Sequence, residues 1–160
     1  MAVDMFFKIG DLKGESVDDK HKGEIDVLAW SWGLSQSGTT HMATGGGAGK
    51  VNVQDISFTK YVDKSSPNLI QYCCNGKHFA DALLTVRKAG ENPLEYLKIT
   101  IKDLMIAAVT TGGSGGEDRL TENVTLNFAE FKVEYTPQKK DGTGDAAVTV
   151  GWDIAKNVKV

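Results

Sequence analysis

The chain holds only three prolines in 160 residues, and its two cysteines are neighbours, Cys73 and Cys74. Adjacent cysteines do not reach ordinary disulfide geometry without strain, so two reduced thiols and a cytosolic birthplace are expected. No signal peptide is expected: the first eight residues place Asp4 where such a segment needs bases, and their apolar run is too short. No stretch approaches the ~18 continuous apolar residues of a membrane-spanning helix, so no membrane insertion is expected. Basic blocks are missing too. Eighteen Lys and Arg against twenty-one Asp and Glu leave a net charge of −3, which removes the electrostatic footprint of a nucleic-acid binder.

Catalytic patterns fail one after another. Gly49-Lys50 suggests a phosphate-binding loop, but that pattern needs Gly where Thr44 stands and Ser or Thr where Val51 stands. The Gly-rich run 112–116 misses the dinucleotide spacing, because Asp118 occupies the place of the third Gly. His21, His41 and His78 have no Cys, Asp or Glu at metal-ligand spacing. Ser114 lies between Gly113 and Gly115 without the spacing of a nucleophile elbow. Glu117-Asp118-Arg119 reads as a hydrogen-bonded loop corner, and the Asn123-Val124-Thr125 sequon as chance without a secretory signal. No catalytic residue, metal or cofactor is expected, and the chain does not read as an enzyme.

What is present is alternation. With 41% apolar and 24% charged residues, the chain is an ordinary globular one, long enough to hold a core without metal or disulfide. Period-two runs recur: Val3, Met5, Phe7, Ile9; Leu28, Trp30, Trp32, Leu34; Val51, Val53, then Ile56, Phe58; Ala82, Leu84, Val86; Leu97, Ile99, Ile101; Val124, Leu126, Phe128, then Phe131, Val133, Tyr135; and Val148, Val150, Trp152, Ile154. The phase slips at Gln54-Asp55 and Ala129-Glu130 predict β-bulges, the bends that a closing sheet needs. One segment departs: Ser65-Ser66-Pro67 opens, and Gly76 closes, a short helix that presents Leu69, Tyr72 and Cys73 on one face. The expectation is one domain over residues 1–160, mainly β: a compact β-barrel of two antiparallel sheets with one short α-helix.

In the second run the two tryptophans face a core, and Ala29, Ser31 and Gly33 lie opposite them. That small face suits a strand beneath another layer or the wall of a channel, and the residues alone leave both open.

Longer blocks carry a family resemblance. They are the opening Met1-Ala2-Val3-Asp4-Met5-Phe6, then Glu24-Ile25-Asp26-Val27-Leu28-Ala29-Trp30-Ser31-Trp32-Gly33, and the run from Gly49-Lys50-Val51 to Phe58-Thr59-Lys60. Lys77-His78, Leu84-Thr85-Val86-Arg87-Lys88-Ala89-Gly90, the stretch from Gly112 through Glu122-Asn123-Val124-Thr125-Leu126-Asn127-Phe128, and Gly151-Trp152-Asp153-Ile154 follow in order. Together they closely resemble the haemolysin-coregulated protein family across essentially the whole chain. The resemblance implies a tube protein of the bacterial type VI secretion system, a hexameric ring that stacks into a hollow tube. It also implies a contractile sheath around the tube, a valine-glycine-repeat spike at its tip and small effector proteins carried in its lumen. The protein would be made in the cytoplasm and exported by sheath contraction to the extracellular space or a target cell.

On this reading Ala29, Ser31 and Gly33 face the lumen, and a ring-stacking loop contains Thr40, His41, Gly45, Gly46, Gly47, Gly49 and Lys50. The competing expectation is a monomeric small-ligand-binding β-barrel, which would need a bulky apolar pocket facing inward.

Overall fold

The computed structural model describes residues 2–38, 41, 47 and 49–160. Its strands are β1 (Val3–Ile9), β2 (Ile25–Asp26), β3 (Ala29–Ser31), β4 (Leu34–Ser35), β5 (Asn52–Val53), β6 (Ile56–Tyr61), β7 (His78–Lys88), β8 (Glu95–Thr111), β9 (Thr121–Tyr135), β10 (Val148–Asp153) and β11 (Val158–Lys159). One helix, α1 (Ser66–Asn75), separates β6 from β7. All pairings are antiparallel: β1 with β7, β7 with β8, β8 with β9, β9 with both β6 and β10, β10 with β11, β6 with β3, and β1 with β2. A separate two-stranded sheet joins β4 to β5.

The segment that holds β2 and β3 curls this path into a roughly closed barrel. Val27 N donates to Met5 O at 2.9 Å, whereas Leu28 N donates to Thr59 O at 2.8 Å. The chain therefore leaves β1 and joins β6 between two consecutive residues. Phe7, Ile9, Ile25, Ile56, Phe58, Leu84, Ile101, Leu104 and Leu126 fill the interior and are almost wholly buried. Burying a side chain of this size is worth about 1.5–3 kcal/mol each.

The partner switch corrects one expectation. Trp30 and Trp32 pack against the core, but Leu28 and Leu34 remain 39% and 46% exposed. The expected single strand is three short ones, and Val27 takes the inward place that alternation gave to Leu28.

The register shifts lie between Val86 and Arg87 and between Ile106 and Ala108, not at the two places where bulges were expected; those two slips instead coincide with a change of partner. Gln54 and Asp55 separate β5 from β6. In β9 the buried side passes from Val124, Leu126 and Phe128 to Phe131. Opposite, β8 makes the same change, from Ile99 and Ile101 to Leu104 and Ile106, across Asp103 at φ +50°. The two strands slip together, so their register is the same on either side. One half of β9 then pairs with β6 and the other with β10.

In α1, Pro67 sits in the first turn, and Gly76 at φ +66° donates its N–H to Tyr72 O at 3.1 Å. Leu69 is buried, and Tyr72 meets the ring of Phe79 edge-on. Cys73 leans on the core while Cys74 is exposed, so the thiols are not equivalent packing groups: a helix turns about 100° between neighbours.

Residues 10–24 form an irregular strap across β1, β7 and β8, pinned by Leu12 in the core. Gly14 N donates to Gly23 O, Gly23 N to Ser16 O and Ser16 N to Glu24 O. A Cβ on Gly14 would meet the backbone of Glu24 and Ile25, so only glycine fits there. The Arg87 guanidinium binds Asp18 at 2.6 and 3.1 Å and holds its pKa down to about 2. Burial would raise Glu95, but hydrogen bonds from His21 and Lys98 outweigh it and hold it below the usual range.

A carboxylate depressed by folding contributes stability that is present above its unfolded value, about 3.9 for Asp, and lost as pH falls through the folded one. Acid is therefore expected to loosen the strap between about pH 4 and pH 2. Amide exchange of residues 10–24 measures it, and Asp18→Asn should already show the loosened strap at neutral pH.

Candidate functional site

The exposed side of β3, β6 and β9 carries a ladder of small uncharged groups. Register places Ala29 opposite Thr59 and Ser31 opposite Ser57, then Ser57 opposite Thr125 and Thr59 opposite Asn123. Beyond them Thr110 and Ala108 of β8 face Asn123 and Thr125. The hydroxyls pair with one another: Ser57 Oγ lies 3.1 Å from Thr125 Oγ1, and Thr59 Oγ1 donates to Asn123 Oδ1 at 2.6 Å. Ser31 makes no such bond among the described residues and is exposed. A shallow depression of about 150 Å³ lies over Ala29, Ser31, Ser57, Thr59 and Asn123. Trp30, Phe58 and Val124 form the other side of the same strands and pack inward.

Charge begins only at the margins of this ladder. Asn127 Nδ2 donates to Asp55 at 2.8 Å at one end, and the Arg119 guanidinium stacks on Tyr61 at 3.8 Å at the other. The outer side of β8, β9 and β10 contrasts with it, for there Lys98 faces Glu134 and Lys102 faces Glu130. A groove of about 410 Å³ over Gly151 runs between Lys102, Lys132 and Lys159 on that side. The ladder carries no titratable group. It can hold a surface by contact and hydrogen bonding, not by proton transfer or ion pairing.

The predicted site residues fall in different places. Ala29 and Ser31 lie together on the ladder. Gly33 lies past the end of β3, where its carbonyl accepts from Gln54 N at 3.0 Å and the Gln54 side chain covers it. Ser57, Thr59, Asn123 and Thr125 were not foreseen. The signal was their alternation with Ile56, Phe58 and Lys60 and with Glu122, Val124 and Leu126, which forces them to the other face. The glycosylation sequon is thus two rungs of this ladder.

The expected stacking loop springs from the β4–β5 sheet, where Leu34 pairs with Val53 and Ser35 with Asn52. His41, Gly47, Gly49 and Lys50 are exposed. Thr40, Gly45 and Gly46 lie outside the described residues. A groove of about 360 Å³ at the base of the loop is lined by Leu34, Gln36, Gly49, Val51, Phe131 and Trp152. Among the described residues, no group of three or more His, Cys, Asp or Glu is placed to hold a metal ion, and no helix is long and apolar enough to cross a membrane.

A family model described as "Type VI secretion system effector, Hcp" matches residues 6–135. The chain is 66% identical over 161 residues to "Protein hcp1" of Pseudomonas aeruginosa, covering 99% of each chain. Hcp1 from Salmonella typhimurium superposes with a TM-score of 0.83 at 45% identity, covering all of both chains. A solved structure described as a type six secretion system protein reaches a TM-score of 0.94 at 28% identity, covering 99% of this chain and 100% of that one.

Proposed function

The chain belongs to the Hcp family of type VI secretion, and from that premise we infer that it is the tube subunit, acting as a hexameric ring that stacks into a hollow conduit. Six identical copies meet head to side, a heterologous contact that closes into a ring by rotation. The ladder of Ala29, Ser31, Ser57, Thr59, Asn123 and Thr125 lines the lumen. The observation that carries this reading is that an exposed, uncharged face of three strands lies on the same barrel as a charged one. A conduit for proteins of differing charge needs such a wall, because a charged lining would retain some cargo and repel the rest. Small effector proteins are the cargo. A contractile sheath and a valine-glycine-repeat spike are the outer partners, and the rings leave the cytoplasm by contraction. The role is structural and not enzymatic.

The competing small-ligand barrel is not favoured, because the barrel interior is filled by Phe7, Ile25, Phe58, Leu84, Ile101 and Leu126. Measured mass decides between the two. The purified protein is expected at six times 17.2 kDa, as rings with a central hole in electron micrographs. A monomer at working concentrations would overturn the ring.

The loop that contains Thr40, His41, Gly45, Gly46, Gly47, Gly49 and Lys50 makes the contact between successive rings. It stands on its own two-stranded sheet, outside the barrel core. Changing the length of a surface loop costs little folding free energy, about 0.6 kcal/mol per doubling. Deleting residues 45–49 should leave a soluble hexamer and sharply reduce secretion, read by immunoblot of culture supernatant. Unfolded protein would instead assign the loop to the fold.

A further inference from the structure

Strand β10 is paired along its whole length on one side only. Ile154 N donates to Ala129 O at 2.9 Å, so Trp152, Val150 and Val148 turn their backbone groups toward β9. Val160 N donates to Gly151 O at 3.2 Å, so Gly151 and Thr149 turn theirs the opposite way, toward the line of β11. β11 covers Trp152 and Asp153, and its last bond reaches Gly151. The N–H and C=O of Thr149 therefore face an open edge, with no strand beside them among the described residues. Residues 146–151 are Ala-Ala-Val-Thr-Val-Gly, without a charge or a proline, two devices that commonly keep another chain off a bare strand. Val148 and Val150 stay 67% and 51% exposed on one side of it.

The other side of the strand borders the groove of about 410 Å³. Register sets Thr100, Lys132 and Gly151 in one row across β8, β9 and β10. Gly151 has no side chain, so the end of that row stays hollow. Val160 stands over it, for a Cβ on Gly151 would lie 3.0 Å from Val160 Cγ2. Lys102, Lys132 and Lys159 line the groove, and Glu130 is the one acidic side chain among the lining residues. Glu130 lies 3.7 Å from Lys102, whereas Lys132 and Lys159 have no ion pair among the described residues. Next to the groove, Glu134 faces Lys98. The edge thus offers a backbone donor and acceptor, apolar contact on one side and spare positive charge on the other.

We propose that the open edge of β10 docks an extended acidic peptide segment of a partner protein, which adds to the sheet as a strand beside residues 148–150, in line with β11. Backbone bonds to Thr149 hold it, and alternation sorts its side chains. Those on the Thr149 side are carboxylates that reach Lys132 over the Gly151 hollow. Those between them are apolar and cover Val148 and Val150. A basic segment meets the same backbone groups but sets its charge against the lysines, so charge selects the partner. The edge lies on the half of β9 that pairs with β10, away from the ladder on the half that pairs with β6. Its occupation does not depend on ring formation.

Hydrogen exchange of the intact protein with a capped peptide of alternating valine and glutamate tests it. The peptide should slow exchange at residues 147–151 by about tenfold or more while β8 and β9 stay unchanged, and added salt should weaken the effect. The counterpart with lysine in place of glutamate should bind about tenfold more weakly or worse. Lys132→Glu should reverse that preference. Thr149→Pro removes the N–H that faces the open side and spares the β9 ladder, a place where an edge strand tolerates proline. It should lose the peptide at unchanged fold and unchanged assembly size. No protection of the edge by the acidic peptide, equal binding of both peptides, or undiminished binding to Thr149→Pro overturns the docking edge. Rings that fall to monomers in Thr149→Pro, while the unaltered protein stays assembled, would give the edge to a neighbouring copy and overturn it as well.

Discussion

Lys60→Met is expected to destabilise the protein by about 3–5 kcal/mol, a large share of the total stability of a domain this size. Lys60 is fully buried, and its Nζ donates to Glu122 at 2.5 Å, Asp63 at 3.0 Å and Ser66 at 3.1 Å. Lys60 and Glu122 are direct partners in the β6–β9 register, and Ser66 is the first residue of α1. Ser66 also donates its hydroxyl to Glu122 at 2.5 Å. One ammonium therefore fastens two strands, the turn and the start of the helix. Removing it leaves Glu122, only 1% exposed, as a buried carboxylate without a cation. Methionine keeps most of the volume, so the loss comes from charge and not from a cavity. Denaturant unfolding of the singly and doubly substituted proteins separates the terms. Lys60→Met with Glu122→Leu should recover part of the loss, since a buried pair replaced by apolar groups is often neutral, while Asp63 stays without its cation. A double variant no more stable than Lys60→Met would mean that the triad does more than neutralise itself.

That triad also marks where the sequence was legible and where it was read too coarsely. Alternation alone gave the long strands, because β7, β8 and β9 bury one side against the core and water rewards the pattern residue by residue. The same alternation puts Lys60 in phase with Ile56 and Phe58, and Glu122 in phase with Val124 and Leu126. A charge of each sign at a core-facing position was a readable sign of a buried pair. The placement of Leu28 was not readable, because it depends on a switch of hydrogen-bond partner from β1 to β6, and period carries no information about partners. Gly33 is beyond the reach of the pattern for the same reason: β3 ends at Ser31, so alternation does not fix the side on which Gly33 lies. The paired slip of β8 and β9 was half visible, at Ala129 but not at Asp103, where a left-handed residue replaces the expected glycine. The strap escaped notice because its order comes from contacts between distant segments, Asp18 with Arg87 and His21 with Glu95. Local physics leaves the small face two roles, a strand beneath another layer or the wall of a channel, and the choice of the second is the proposal made above.

Ser31→Arg is expected to leave ring assembly intact and abolish co-purification of effectors. Ser31 is exposed on β3 opposite Ser57, and the adjacent Trp30 side chain points to the other side of the sheet. A long side chain at this position therefore extends away from the core and leaves Phe58 and Val124 undisturbed. Its neighbours on the face, Ala29, Ser57, Thr59 and Asn123, are uncharged, so the guanidinium finds no carboxylate to pair with and stays extended and hydrated. In a hexamer the change occurs six times around one channel, narrowing it and giving it a fixed positive charge. The hydroxyl that is lost was free to bond cargo, a contact worth about 1 kcal/mol per subunit, and six such contacts act together through multivalency. Losing all six while adding six obstacles should reduce cargo retention beyond detection in a pull-down. Ser31→Ala removes only the hydroxyl and keeps the channel open, so it should weaken retention without abolishing it. Retained cargo in Ser31→Arg at full ring yield would move the binding wall elsewhere. Collapse to monomer would place Ser31 in a contact between subunits, and the lumen assignment of the β3–β6–β9 face would fall with it.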